Sequence, residues 1–125
     1  MSPAELRDLI VASLDDRKGR SILALDVTKL TDVTDYMVLA SGTSARHVRA
    51  LVDNLRETAR RCAVRVLGIE GEDTGTWVLV DLGDVVVHVM QAETRAFYDL
   101  ERLWSDAGAA RGEASGAPER DGVLA

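Results

Sequence analysis

A single cysteine, Cys62, is all the sequence holds, which excludes an internal disulfide and any cysteine-cluster metal site and suits a reducing compartment. Cys62 falls on the apolar stripe of an expected helix, where a thiol is buried and inert. Histidine is nearly as scarce. His47 and His88 are the only two, neither has a second ligand type at metal spacing, and Asp-x-Asp is absent, so no metal or other cofactor is expected. Gly42-Thr43-Ser44 could meet an anion at a helix N-terminus. It lacks the glycine spacing of a dinucleotide loop and the lysine of a phosphate-binding loop. No apolar run reaches membrane-spanning length and no signal or lipidation pattern occurs, so the chain is expected in the cytoplasm with no membrane contact. Basic residues do not prevail either. The net charge of −6 and pI near 4.8 argue against a dedicated nucleic-acid binder, which needs clustered base.

What is present is one domain's worth of ordinary globular chain: 125 residues, 46% hydrophobic and 29% charged. Aromatics make up 4%, and apart from Tyr36 they all lie between Trp77 and Trp104. Gly83-Asp84 separates two runs rich in Val and Leu, as in a two-residue hairpin of type I′ or II′. That loop sets the register: Val80 opposite Val87 and Val78 opposite Val89 on one face, Asp81 opposite Val86, Leu79 opposite His88 and Trp77 opposite Met90 on the other. The first face is purely aliphatic and belongs against helices. The second mixes Trp and Met with Asp and His, a composition suited to an open face on which a partner docks. His88 could pair there with Asp81. Trp77 is expected to anchor a partner, so that its truncation costs binding more than folding.

Along the chain, Ser2-Pro3-Ala4-Glu5 forms a capping box, and Leu6, Leu9, Ile10 and Leu14 follow at helical spacing to about Lys18, where Gly19 supplies a left-handed stop. Residues 21–27 and 36–41 read as central strands. Ser44 caps a long helix carrying Val48, Leu51, Val52, Leu55, Ala59 and Cys62 on one face. Residues 65–69 read as a short strand, and 71–75 as a turn-rich connection. After the hairpin comes a helix with Ala96, Phe97, Leu100, Leu103, Trp104 and Ala107 on its stripe and Tyr98 on the opposite side. The expected fold is α+β: a two-layer domain whose five-stranded mixed sheet carries helices mainly on one face. It occupies residues 1–107, and 108–125 lose all periodicity and form a disordered tail.

Charge is distributed unevenly. Glu70, Glu72, Asp73, Asp81 and Asp84 follow one another without Lys or Arg, after a segment crowded with Arg46, Arg49, Arg56, Arg60, Arg61 and Arg65. An acidic surface steers basic partners, of which ribosomal proteins are the commonest in a cytoplasm. The arginines are explained by solubility.

Certain residues carry a closer likeness. Asp35-Tyr36, the run Ala40-Ser41-Gly42-Thr43-Ser44-Ala45-Arg46, Glu70-Gly71, Trp77-Val78-Leu79-Val80-Asp81, Val87-His88-Val89, and then Arg95, Tyr98, Leu100-Glu101 and Leu103-Trp104 stand in order at compatible spacings. Together they resemble the iojap family of ribosomal silencing factors, with Met37 departing from its more usual aromatic. The resemblance implies a nucleotidyltransferase-like fold that has lost that catalysis. It implies binding to the large ribosomal subunit at universal ribosomal protein fourteen (uL14), a steric block to small-subunit joining, and lower translation when nutrients are scarce. Free members of the family form homodimers. The family pattern falls on Trp77, Asp81, His88 and Tyr98 as contact residues, with Glu70 and Arg95 beside them. The alternative, a nucleotidyltransferase-like enzyme acting on a nucleotide, requires nucleotide and metal ligands that the sequence does not display.

Overall fold

The computed structural model describes residues 1–99 and Arg102; the side chain of Phe97, residues 100 and 101, and residues 103–125 lie outside the described set. The described elements are α1 (Pro3–Asp16), β1 (Arg20–Asp26), β2 (Tyr36–Gly42), α2 (Ala45–Arg61), β3 (Gly68–Glu70), β4 (Trp77–Asp81), β5 (Val85–Gln91) and α3 (Ala92–Tyr98). The five strands form one sheet in the order β1-β2-β5-β4-β3. Only β2 and β5 run parallel, and the other pairings are antiparallel. The fold is thus the expected α+β arrangement around a mixed sheet.

The hairpin register follows the alternation of the sequence. Trp77 faces Met90, Val78 faces Val89, Leu79 faces His88, Val80 faces Val87 and Asp81 faces Val86. Of the two loop residues only Gly83 has positive φ, at 86°, so the turn does not take the I′ form, in which both central residues do. The aliphatic face packs under α1 and α2. Leu6, Ile10 and Leu14 of α1 and Val48, Leu51, Val52, Leu55 and Ala59 of α2 close over Val38, Ala40, Val78, Val80, Val85, Val87 and Val89, all buried.

Both long helices begin with the expected side-chain caps. Ser2 Oγ accepts from Glu5 N–H while the Glu5 carboxylate accepts from Ser2 N–H, and Ser44 Oγ accepts from His47 N–H. The ending of α1 differs from expectation. In α1 the left-handed residue is Lys18, φ 63°, not Gly19. Lys18 N–H donates to Asp15 O and Gly19 N–H to Leu14 O, a Schellman ending in which glycine takes the following position. The reason is space: a Cβ on Gly19 would lie 3.0 Å from Leu14 O. In α2, Ala63 (φ 57°) and Val64 repeat the pattern, donating to Arg60 O and Ala59 O.

Two other expectations are corrected. The third strand starts at Gly68 rather than at residue 65: β4 ends at Asp81, which pairs with Gly68 and takes the Leu67 N–H as the last bond between them, at 2.7 Å. The last helix does not run unbroken to residue 107. It closes after Tyr98, where Asp99 turns left-handed (φ 53°) and donates its N–H to Arg95 O at 2.7 Å. Arg102 is again helical. Leu100, Leu103, Trp104 and Ala107 of the expected stripe, and the expected tail 108–125, lie outside the described residues.

Candidate functional site

The second face of the sheet is built in rows across the strands. Glu70 of β3, Leu79 of β4, His88 of β5 and Leu39 of β2 form one row, and Gly68, Asp81, Val86 and Met37 form another. Its centre is not open, contrary to expectation. Val27, Met37, Leu39 and Met90 form a second small core, joined by the partly buried Leu25, Leu30 and Trp77, and His88 is only 2% exposed. The loop after β1 and the short α3 cover this part. What remains accessible lies toward the β3 edge: Leu79, Asp81, Val86 and Trp77 are half-buried and Glu70 is exposed.

Trp77 organises the rim of this surface. Its Nε1–H donates to His88 Nδ1 at 2.9 Å, with the ring centroids 5.9 Å apart. On its other side, the Tyr98 ring from α3 stands 4.8 Å away, tilted by 50°, the geometry that aromatic pairs prefer. Tyr98 itself is 47% exposed. The structure therefore brings together Trp77, His88 and Tyr98, which the sequence separates by a strand and a helix.

The six residues expected to touch a partner divide into two groups. Trp77, Tyr98, Glu70 and Asp81 reach the surface, although Asp81 also shapes the hairpin by accepting from Gly83 N–H at 2.9 Å. His88 and Arg95, expected as contact residues, do not reach it: the fold buries both within the chain. His88 is held under the face as the acceptor for Trp77, not as the partner of Asp81. Arg95, 7% exposed, donates from Nη1 to Ser21 O at 2.7 Å and to Ser41 Oγ at 3.1 Å. The placement of α3 over the sheet turns both side chains inward, which periodicity along one helix or strand does not reveal.

Sequence reasoning also missed how the acidic connection before β4 is held. Arg49 of α2 donates to Glu72 O and Asp73 O, and Arg56 pairs with the Glu72 carboxylate at 2.6 Å. Arg60 and Arg61 pair with Glu57, and this keeps the Glu57 carboxyl below its usual range, chiefly through the Arg60 hydrogen bond. Oppositely charged clusters on either side of residue 65 were the available signal. Gly71, φ 92°, is required in this connection, since a Cβ there would sit 2.1 Å from Trp77 O. His47 has both ring nitrogens engaged: Nδ1 accepts from Thr43 N–H at 2.9 Å and Nε2 lies 3.0 Å from Arg17 O, a pattern that fits the neutral ring protonated at Nε2. It ties α2 to the end of α1. Among the described residues no three His, Cys, Asp or Glu side chains gather as a metal site requires.

Fold and surface together define a class: a small α+β domain whose distinguishing feature is a half-covered sheet face with an aromatic pair and an acidic edge. Comparison with known proteins narrows this. Residues 1–122 match the family model described as "Ribosomal silencing factor during starvation". A Chromobacterium violaceum protein named ribosomal silencing factor is 43% identical over 104 residues, 83% of this chain and 85% of that one. A mouse protein named "Mitochondrial assembly of ribosomal large subunit protein 1" is 39% identical over 101 residues, 78% of this chain and 44% of its own length. The crystal structure of a Chromobacterium violaceum protein superposes with a TM-score of 0.82 at 43% identity, covering 84% of this chain and 88% of that one. The chain belongs to the ribosomal silencing factor family.

Proposed function

We propose that this protein represses translation without chemistry of its own. It docks on the large ribosomal subunit at ribosomal protein uL14 and, by its bulk, keeps the small subunit from joining when nutrients are limited. The observation that carries the reading is the Trp77–Tyr98 pair, half-exposed beside Leu79 and Val86 with Glu70 and Asp81 at hand. Interface centres favour large aromatic anchors, and carboxylates at the edge complement a basic ribosomal protein. Family membership supports the ribosome as the partner, and the mouse relative's name ties that protein to the large subunit. The arginine-rich segment contributes less. Arg49, Arg56, Arg60 and Arg61 are engaged within the chain, so contact with ribosomal RNA falls to Arg46 and Arg65. We further infer a cytoplasmic protein that forms a homodimer when off the ribosome.

Sucrose-gradient sedimentation with purified subunits tests the docking, and light scattering tests the block. The protein is expected to travel with large subunits, to slow their joining with small ones, and to bind more weakly as salt rises. Sedimentation with small subunits alone, or undisturbed joining at saturating protein, contradicts the reading.

A further inference from the structure

The helix that carries Tyr98 has little to hold it in place by itself. α3 spans Ala92–Tyr98, seven residues, too short to persist without tertiary anchoring. Its N-cap, Gln91, makes no side-chain capping bond and reaches instead to Gly75 O at 3.1 Å. Among the described side chains of α3, the buried one is Arg95. Burial of a guanidinium is costly unless its protons are matched, and here the match is directional. One nitrogen bonds Ser21 O on β1 and Ser41 Oγ on β2. The first acceptor belongs to the irregularity in the β1–β2 pairing between Arg20 and Leu23, where Ser21 has φ 50°. An apolar anchor would let a short helix slide or roll on a Val- and Met-lined face. Two acceptors on different strands, met by the two protons of one Nη1 in a planar guanidinium, set both its position and its rotation. The backbone of the same residue acts as well: Arg95 O takes the Asp99 N–H and ends the helix immediately after Tyr98.

We propose that Arg95 is a positioning residue for the docking surface. It pins α3 to β1 and β2 so that Tyr98 stands against Trp77 in the free protein, and the partner meets a finished aromatic platform. This rests on the reading of that platform as the ribosome-binding face. Trp77 is fixed from the other side by His88, so both rings are set before binding. Preorganisation of this kind raises affinity by removing the ordering cost from the binding step.

A double-mutant cycle on the full chain decides it. Large-subunit affinity is measured for Arg95→Ala, Tyr98→Ala, Trp77→Ala and the Arg95→Ala/Tyr98→Ala pair. The Trp77 indole N–H of each free protein that retains it is followed by two-dimensional NMR and assigned with Trp77→Phe. Arg95→Ala is expected to weaken binding about tenfold and to move the indole resonance in the direction that Tyr98→Ala moves it. The double variant should bind no more weakly than Tyr98→Ala alone, since both changes remove the same platform. Arg95→Lys, whose ammonium has donors for both acceptors but ends one bond short of the Nη1 position and lacks the guanidinium plane, should fall between. If Arg95→Ala fails to fold, Ser41→Ala, which deletes one acceptor, should show the same pattern at smaller amplitude. Additive losses, or weakened binding with an unmoved indole, would make Arg95 a contact residue and overturn the proposal. Undiminished binding by both Trp77→Ala and Tyr98→Ala would overturn the docking face itself, and with it the role given to Arg95.

Discussion

Trp77 shows how one side chain can belong to both the fold and the surface. From hairpin register alone it is a partner anchor whose loss should spare stability. In the structure its indole N–H satisfies His88 Nδ1, which is 2% exposed and shielded from solvent. Trp77→Phe keeps most of the aromatic surface but removes the donor to that nitrogen, so it should cost about 0.5–1.5 kcal/mol of folding stability, read from a chemical denaturation curve. Trp77→Ala should lose that stability as well as about 2 kcal/mol of large-subunit affinity. Gly71 is the second residue at which a small change has a large consequence. Its φ of 92° and the 2.1 Å approach of a notional Cβ to Trp77 O leave alanine no place without moving the Trp77 backbone. Gly71→Ala should destabilise by about 2–3 kcal/mol, and a melting temperature within a few degrees of the parent would contradict the required conformation.

At the scale of elements, the helix endings are informative because they depart from the simplest rule. Glycine follows the left-handed position of α1 instead of filling it, and α2 does without glycine altogether. Lys18 and Ala63 therefore hold a conformation that disfavours a Cβ. Lys18→Gly and Ala63→Gly should each raise stability by about 0.5–1 kcal/mol, the strain relieved less the entropy added to the unfolded chain, as a small upward shift in the thermal midpoint. The start of α1 bears on acid stability. Glu5 is held below its usual pKa chiefly by the Ser2 backbone N–H, Asp26 chiefly by the Thr28 hydroxyl, and Glu57 chiefly by Arg60. A carboxyl with a lower pKa folded than unfolded contributes fully above the ordinary carboxylate range, and the contribution fades as pH falls through the lowered value. The melting temperature should stay level from neutral pH down to about 5 and fall below it, with a shallower fall in Glu5→Gln. A stability that rises on acidification would contradict these assignments.

For the molecule as a whole, one layer of two long helices stabilises the sheet from one side, while a short helix and a loop only partly cover the other. Among the described residues, that asymmetry leaves Trp77, Leu79, Asp81 and Val86 half-buried without exposing the central strands. Folding and docking should accordingly be separable: Leu51→Ala, at a fully buried position under α2, should cost about 2–5 kcal/mol of stability, while the fraction that remains folded joins large subunits with parent affinity. We also propose that the segment 108–125 is dispensable. A chain ending at residue 107 should keep both its melting temperature and its large-subunit affinity, and a loss of either would assign that segment a part in packing or binding.

The sequence by itself determined whatever depends on neighbours a few positions apart. Gly83 between alternating Val runs leaves one hairpin register, since any one-residue slip would turn the aliphatic face to water. The capping Ser2 and Ser44 and the 3.6-residue stripes of α1 and α2 likewise specify their own helices. The family likeness was legible for the same reason, being carried by short runs such as Glu70-Gly71 and Val87-His88-Val89. Only the tertiary structure decided which of the marked residues reach the surface. Arg95 finds its acceptors 74 and 54 positions back in the chain, at Ser21 and Ser41, and Trp77 meets His88 11 positions on. Hydrogen bonds of that span have no period to betray them. They exist only once the sheet is assembled and α3 has folded back over it, which is why His88 and Arg95 look like contact residues in the sequence and are supports in the fold.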